Sequence, residues 1–164
     1  MISHDELLRI LHYNPETGEF TWRVDPCMGP RRAGKKAGYY HSALGRNRIK
    51  IDGKPHFAAR VAWFYMTGAW PSEFVDHINL DKADDRFANL RLATRSQNGA
   101  NRRVQARNKW GFKGVAQESR TKKFIATVRK DGVTHYAGFH ATPEAAHAAY
   151  LAKAKELHGE FARG

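Results

Sequence analysis

Between residues 75 and 98 the chain reads VDHINLDKADDRFANLRLATRSQN. His77 follows directly on the carboxylate of Asp76, and two amide side chains, Asn89 and Asn98, come later in the same stretch. Histidine as a residue type ionises near neutrality, so it can act as a general base without special tuning. A carboxylate joined by an amide oxygen is a hard, all-oxygen donor pair. It leaves room for water and phosphate and suits Mg²⁺ or Mn²⁺ better than Zn²⁺. A calcium loop is excluded, because Ile78 and Leu80 stand where oxygens are needed and the turn glycine is missing. Asp81, Asp84 and Asp85 are most simply solvated turn residues.

These side chains need a frame. FVDHI and NLRLA read as strands on either side of the acidic loop, and a helix starts near Thr94, with Gln97 three residues on as the partner of a capping box. Neighbours on a strand point to opposite sides, so Asp76 and His77 share a site only where the strand bends at its end. Asn98 then falls in the first turn of the helix, where its oxygen can turn back toward the strand end. Upstream, residues 4–12 suggest a short helix, NPETG a turn and EFTWR a strand. AARVAWFYMTG has helical spacing and stops at Gly68, with Trp63, Phe64 and Met66 expected in the core.

The chain has 164 residues and a formal charge of +12. Such a balance points to a polyanionic partner. The first residues, MISHDELLRILHYNP, carry charges where a signal peptide needs an apolar run, and no stretch is long enough to span a bilayer. Nucleic acid is therefore preferred to a membrane, in an intracellular, cytoplasmic setting. The lone Cys27 excludes an internal disulfide and a paired-cysteine zinc site. The charge divides evenly along the chain, and within its first part CMGPRRAGKKAGYYHSALGRNRIKIDGKPHFAAR is strongly basic, with RIKI and KPHF flanking an Asp-Gly turn. A basic hairpin laid along phosphates would use Arg31, Arg32, Lys35, Lys36, Arg46, Arg48 and Lys50.

The segment NRRVQARNKW, with Arg102 and Arg103, reads as a basic linker. Beyond it GVAQES, KFIATVRKDG and THYAGFHA suggest three strands, followed by a helix opened by Thr142-Pro143 and closed at Gly159. Phe124, Ala126 and Val128 would pack on that helix through Ala146, Tyr150, Ala154 and Leu157. Lys123, Ile125, Thr127 and Arg129 would form an open, partly cationic face.

The stretch DHIN, the DxR turn, NLR and the distal QN resemble the HNH endonuclease family in its phage and homing-type branch. YNPETGEFTWR, DGKPHFAARVAWFYMTGAWP and VDHIN match that branch in order and spacing, so the resemblance covers most of residues 7–103. GFKGVAQ, KFIATVRKDG, THYAGFHATPEAAHAAY and ELHGEFA resemble the APETALA/ethylene-response-factor type of DNA-binding domain. The resemblances imply an α+β chain, with a ββα-metal nuclease module over 1–106 and a three-stranded antiparallel sheet packed on one helix over 107–164. They also imply a phage or prophage setting.

Carried over, the HNH resemblance makes His77 the general base, with Asn89 fixing the loop and orienting the ring. Asp76 and Asn98 would hold one divalent cation, Mg²⁺ or Mn²⁺. Asp84 and Asp85 would shape the loop, with Arg86 as their internal partner. Two positions depart from the family: Asp85 stands where asparagine is usual, placing charge close to DNA, and Ala59 replaces a histidine before Arg60. The second resemblance implies DNA reading by Lys113, Thr127, Arg129, Thr134 and Tyr136. Ala116 and Glu118 stand where arginine is common, which argues against a guanine-rich target.

The implied activity is hydrolysis of phosphodiester bonds in double-stranded DNA. One site cuts one strand per encounter, which fits a nicking monomer; a homodimer would cut both strands. Removal of residues 108–164 is then expected to leave slow, metal-dependent cutting. The competing class is a DNA-binding regulator with a lapsed site. An RNA-binding sheet would need a paired aromatic motif that the sequence lacks.

Overall fold

The structure is a computed structural model that describes residues 2–25, 30–104 and 108–163. Cys27 and the expected module boundary at 106 lie outside the described residues. The fold is mixed α+β with small antiparallel sheets, and the chain divides into two compact units, Met1–Leu92 and Ala93–Gly164.

The first unit opens with α1 (His4–Ile10), where the Ser3 hydroxyl caps by accepting from the Glu6 amide. β1 (Leu11–Asn14), β2 (Glu19–Trp22) and β3 (Lys36–Ala37) form one sheet. β4 (Tyr39–His41), β5 (Arg46–Ile51) and β6 (Lys54–Phe57) form a second. The Asp-Gly turn between β5 and β6 has positive φ at both residues, +48° at Asp52 and +75° at Gly53, as a tight hairpin turn requires. The short strands β3 and β4 were not foreseen in the glycine-rich basic stretch.

α2 (Ala58–Thr67) ends at Gly68, whose φ of +74° closes the helix. Leu7, Leu11, Val61 and Ala62 are fully buried and tie α1, β1 and α2 into one core. Phe64 is buried and Trp63 packs against the same cluster, but Met66 is 43% exposed. The expectation for Met66 is corrected. It lies in the last turn of α2, one turn beyond Ala62, where the helix ends and the burial of that face stops. β7 (Phe74–His77) pairs with β8 (Leu90–Ala93), and between them runs the acidic loop.

The second unit begins at the end of β8 and contains α3 (Arg95–Ala100), opened by the Thr94–Gln97 capping box. β9 (Val115–Gln117), β10 (Phe124–Lys130) and β11 (Val133–His140) form an antiparallel sheet in the order β11-β10-β9. Phe124, Ala126 and Val128 turn inward and cluster with Ala146, Tyr150 and Ala154 of α4 (Pro143–His158). Leu157 only borders this cluster, and His158 is buried instead, with its Nε2 3.1 Å from the Arg129 carbonyl. α3 packs within this unit through a small cluster of Ala93, Ala100 and Phe161. Among the described residues no helix is long and apolar enough to cross a membrane.

Candidate active site

β7 delivers Asp76 and His77 to the start of the loop, and both are buried, at 6% and 3% exposure. The loop is organised by side-chain amides. Asn89 Oδ1 accepts from the Asn79 amide at 3.0 Å, while its Nδ2 donates to Asn79 Oδ1 and to the Asp84 carbonyl at 3.0 and 2.8 Å. The Asn89 carbonyl accepts from the Ile78 amide at 2.9 Å, which locks the two strand ends together. Asp81 is exposed and caps the Ala83 amide. Asp84 grips the guanidinium of Arg86 at 2.6 and 2.7 Å, and this charged contact holds its carboxyl down to about 2.

Asp85 is placed differently from the sequence expectation. It is only 3% exposed, so it neither faces solvent nor lies open to DNA. One carboxylate oxygen stands 3.1 Å from His77 Nε2, and the other accepts from Asn47 Nδ2 at 2.9 Å. Its backbone carbonyl accepts from the Tyr13 hydroxyl at 2.6 Å. Burial, reinforced by the charges of Asp85 and Asp84, pushes the Tyr13 phenol well above its ordinary range, so Tyr13 remains a donor. A buried carboxylate is tolerated only when its oxygens are hydrogen-bonded, and this one is met from β5 and β7, while β1 holds its backbone carbonyl. The sequence carried no signal for Asn47 or Tyr13, which lie 38 and 72 residues from Asp85.

Asp76 Oδ2 accepts from Arg91 Nε at 3.1 Å across the β7–β8 pair, another contact the sequence reading did not assign. Asn98 lies half-buried on α3 in the second unit. Among the described residues no group of three or more His, Cys, Asp or Glu side chains is placed to hold a metal ion. Hydrated Mg²⁺ commonly takes only one or two carboxylates from a protein. The carboxylate of Asp76 with an amide oxygen fits such a cation chemically. Ala59 is buried in the core of the first unit, and Arg60 beside it donates to the carbonyls of Pro71 and Glu73 at 2.8 and 2.9 Å.

The cationic residues fall into distinct settings. Arg46 and Arg48 lie over the Phe57 ring at 5.3 and 5.5 Å, and Arg32 over Trp22 at 5.7 Å. Lys36 pairs with Glu19, while Arg31, Lys35 and Lys50 are exposed. In the second unit Arg102, Arg103, Lys123 and Arg129 are exposed, Thr127 and Tyr136 are cross-strand partners, and Thr134 faces Arg129. Tyr136 is 69% exposed, with Phe139 also open on the same strand. Lys113 is turned inward, its ammonium donating to the carbonyls of Ala100 and Arg102. Burial, aided by Arg163 and Arg102, lowers it to about 8.

The fold and site define a small α+β protein with a buried histidine–carboxylate centre framed by two strands and a loop. The HNH endonuclease family pattern matches residues 56–100, from β6 to the end of α3. Protein 3.8 of Escherichia phage T7 is 30% identical over 103 residues, which cover 62% of this chain and 84% of that protein. The uncharacterized HNH endonuclease L560 of Acanthamoeba polyphaga mimivirus is 35% identical over 127 residues, 75% of this chain. This chain spans 65% of the length of that mimivirus protein. No solved structure matches. Residues 56–100 thus carry the HNH endonuclease pattern.

Proposed function

We propose that the chain is a metal-dependent endodeoxyribonuclease that hydrolyses phosphodiester bonds in double-stranded DNA, as a nicking or homing-type enzyme of phage or prophage origin. The observation that carries this reading is His77, buried beside Asp76 and in contact with Asp85 at the end of β7. His77 takes a proton from water as the water oxygen bonds to phosphorus. The bond from phosphorus to the 3′ oxygen breaks, and that oxygen is protonated by solvent, leaving 5′-phosphate and 3′-hydroxyl ends. Asp76 and Asn98 would hold the cation, Mg²⁺ or Mn²⁺, whose charge offsets that developing on the phosphate and the departing oxygen. Asn89 keeps the loop rigid, so that the histidine is presented in one position.

The basic strands of the first unit and the sheet of the second are the proposed DNA contacts. The second unit is read as an APETALA/ethylene-response-factor-like module, with its open face of Lys123, Thr127, Arg129 and Tyr136 toward the duplex. Lys113 is left out of that face because its ammonium is committed to backbone carbonyls. A second reading, a DNA-binding regulator, draws support from the Asp76–Arg91 ion pair, which occupies one oxygen of the proposed ligand.

Supercoiled plasmid bearing candidate phage DNA, incubated with Mg²⁺, Mn²⁺ or EDTA beside a His77→Ala control, tests the assignment. The enzyme reading requires metal-dependent open circles that the control fails to produce. Linear product would indicate a dimer or paired cuts by successive binding in opposite orientations. Salt-sensitive binding without cleavage, across DNA that includes the target, would favour the regulator.

A further inference from the structure

We propose that the outer face of the β9–β10–β11 sheet reads thymine: Ala116, Ile125 and Phe139, with Thr127 and Tyr136, pack on the 5-methyl groups that thymines present in the major groove of double-stranded DNA. The inference rests on the reading that this sheet meets the duplex, and it is independent of the chemistry assigned to His77.

The strand register builds the face. Phe124, Ala126 and Val128 of β10 cluster with α4, so Ile125 and Thr127 between them point away from it. Residues paired directly across antiparallel strands share a face. Ile125 pairs with Ala116 of β9 and with Phe139 of β11, which sets the three in one row across the sheet. Thr127 pairs with Tyr136, so β11 sets two residues, Ala137 and Gly138, against Ala126 alone. Gly138 in this bulge has φ +98°, a conformation that favours glycine. In a regular strand Tyr136 and Phe139, three apart, would face opposite sides. The bulge turns both rings outward, where they are 69% and 57% exposed.

A contiguous apolar patch rimmed by charge marks a surface that another molecule covers. Charge identifies that molecule as a polyanion: residues 93–164 carry fourteen Lys/Arg against five Asp/Glu. Lys123 and Arg129 are exposed on either side of Ile125 and Thr127. Six residues of extended chain separate these two cations by about 20 Å. The major groove is about 12 Å wide, so cations at that spacing suit phosphates on both of its walls. The row between them is unsuited to guanine, which is read by donors to O6 and N7. Ala116, Ile125 and Phe139 have no polar side-chain atom, and the thymine methyl is the base-edge group that apolar side chains recognise.

The test is DNA binding by the full chain in EDTA, so that no cutting intervenes. Sites selected from a randomised duplex pool should be rich in thymine. Replacing those thymines by deoxyuridine removes only the methyl and should weaken binding by about fourfold for each methyl covered. Phe139→Ser should lose most of that discrimination while keeping the salt slope of the native chain. Equal binding of thymine and deoxyuridine duplexes by the native chain would overturn the proposal, and this comparison needs no variant to fold. Discrimination that persists unchanged in a folded Phe139→Ser would also overturn it. Self-association lost in that variant, with thymine preference intact, would assign the face to a second copy of the chain instead. The double variant Lys123→Gln, Arg129→Gln separates this proposal from the reading beneath it. Unaltered affinity and salt slope would mean that the sheet does not meet DNA, and both would fall. Weakened binding by the double variant, with thymine and deoxyuridine bound alike by the native chain, would remove the thymine assignment alone.

Discussion

Gly18 lies directly against the backbone of Asp85. A Cβ at this position would stand 2.6 Å from the Asp85 carbonyl carbon and 2.6 Å from the Arg86 nitrogen, and the residue has φ +75°. Glycine is required twice over, by conformation and by space. Gly18→Ala is expected to cost about 2–4 kcal/mol, from left-handed strain and a contact with backbone that cannot yield. Urea denaturation would measure it. Because the displaced atoms belong to Asp85, nicking should also fall more than DNA binding does.

The Asp84–Arg86 pair predicts a pH signature. The folded carboxyl is depressed from 3.8 to about 2, so its stabilisation is complete above 3.8 and is lost as pH falls toward about 2. Arg86 is 53% exposed at its side chain, so solvent screening reduces the contribution to on the order of 1 kcal/mol. Asp84→Asn should be less stable than the native chain by that amount at pH 7. Denaturation curves of the two should converge near pH 2; a constant gap would show the pair is not the cause.

Truncation after residue 107 should abolish cutting rather than leave the slow activity expected from the sequence. α3 has six residues, far below the roughly 12–15 needed for a helix to persist alone. Beyond its own capping box and Ala93, the contacts that hold it lie past the cut: Phe161 packs with Ala100, Lys113 holds the Ala100 and Arg102 carbonyls, and the Asp131 amide donates to Ser96 at 3.0 Å. Asn98, the proposed cation ligand, would lose its helix. Plasmid nicking by the truncated chain, with circular dichroism to follow helix content, decides the matter.

Binding should weaken steeply with salt if Arg46 and Arg48 meet phosphates. Each phosphate contact removed should flatten the slope of log K against log salt by about 1. Arg46→Gln, read by gel shift across a salt series, should weaken binding similarly on unrelated duplexes. An unchanged slope would assign Arg46 to packing on Phe57 alone.

The elements around the site were legible where local chemistry dictates them. Thr94 and Gln97 announce the start of α3, Asp52-Gly53 the turn of the hairpin, and Gly68 the end of α2, because caps and turns depend on residues within a few positions. The alternation of Phe124, Ala126 and Val128 likewise identified the buried face of β10. Met66 was misplaced because helical spacing alone does not say where an apolar stripe stops at a helix end.

Asp85 shows the limit most clearly. In the sequence it is one acid among several in a polar loop, set apart from exposed Asp81 only by the family resemblance, and nothing local says that it is buried. Its burial comes from Tyr13 and Asn47, brought to it from distant strands by the core that Leu7, Leu11 and Val61 build. The sequence by itself determined the residue types of the site, its strand–loop–strand frame and the cationic balance, all set by short-range spacing and composition. Only the tertiary structure decided that Asp85 faces His77, that Arg91 meets Asp76, and that Lys113 is turned inward, because long-range packing sets which polar groups lose water and must find one another.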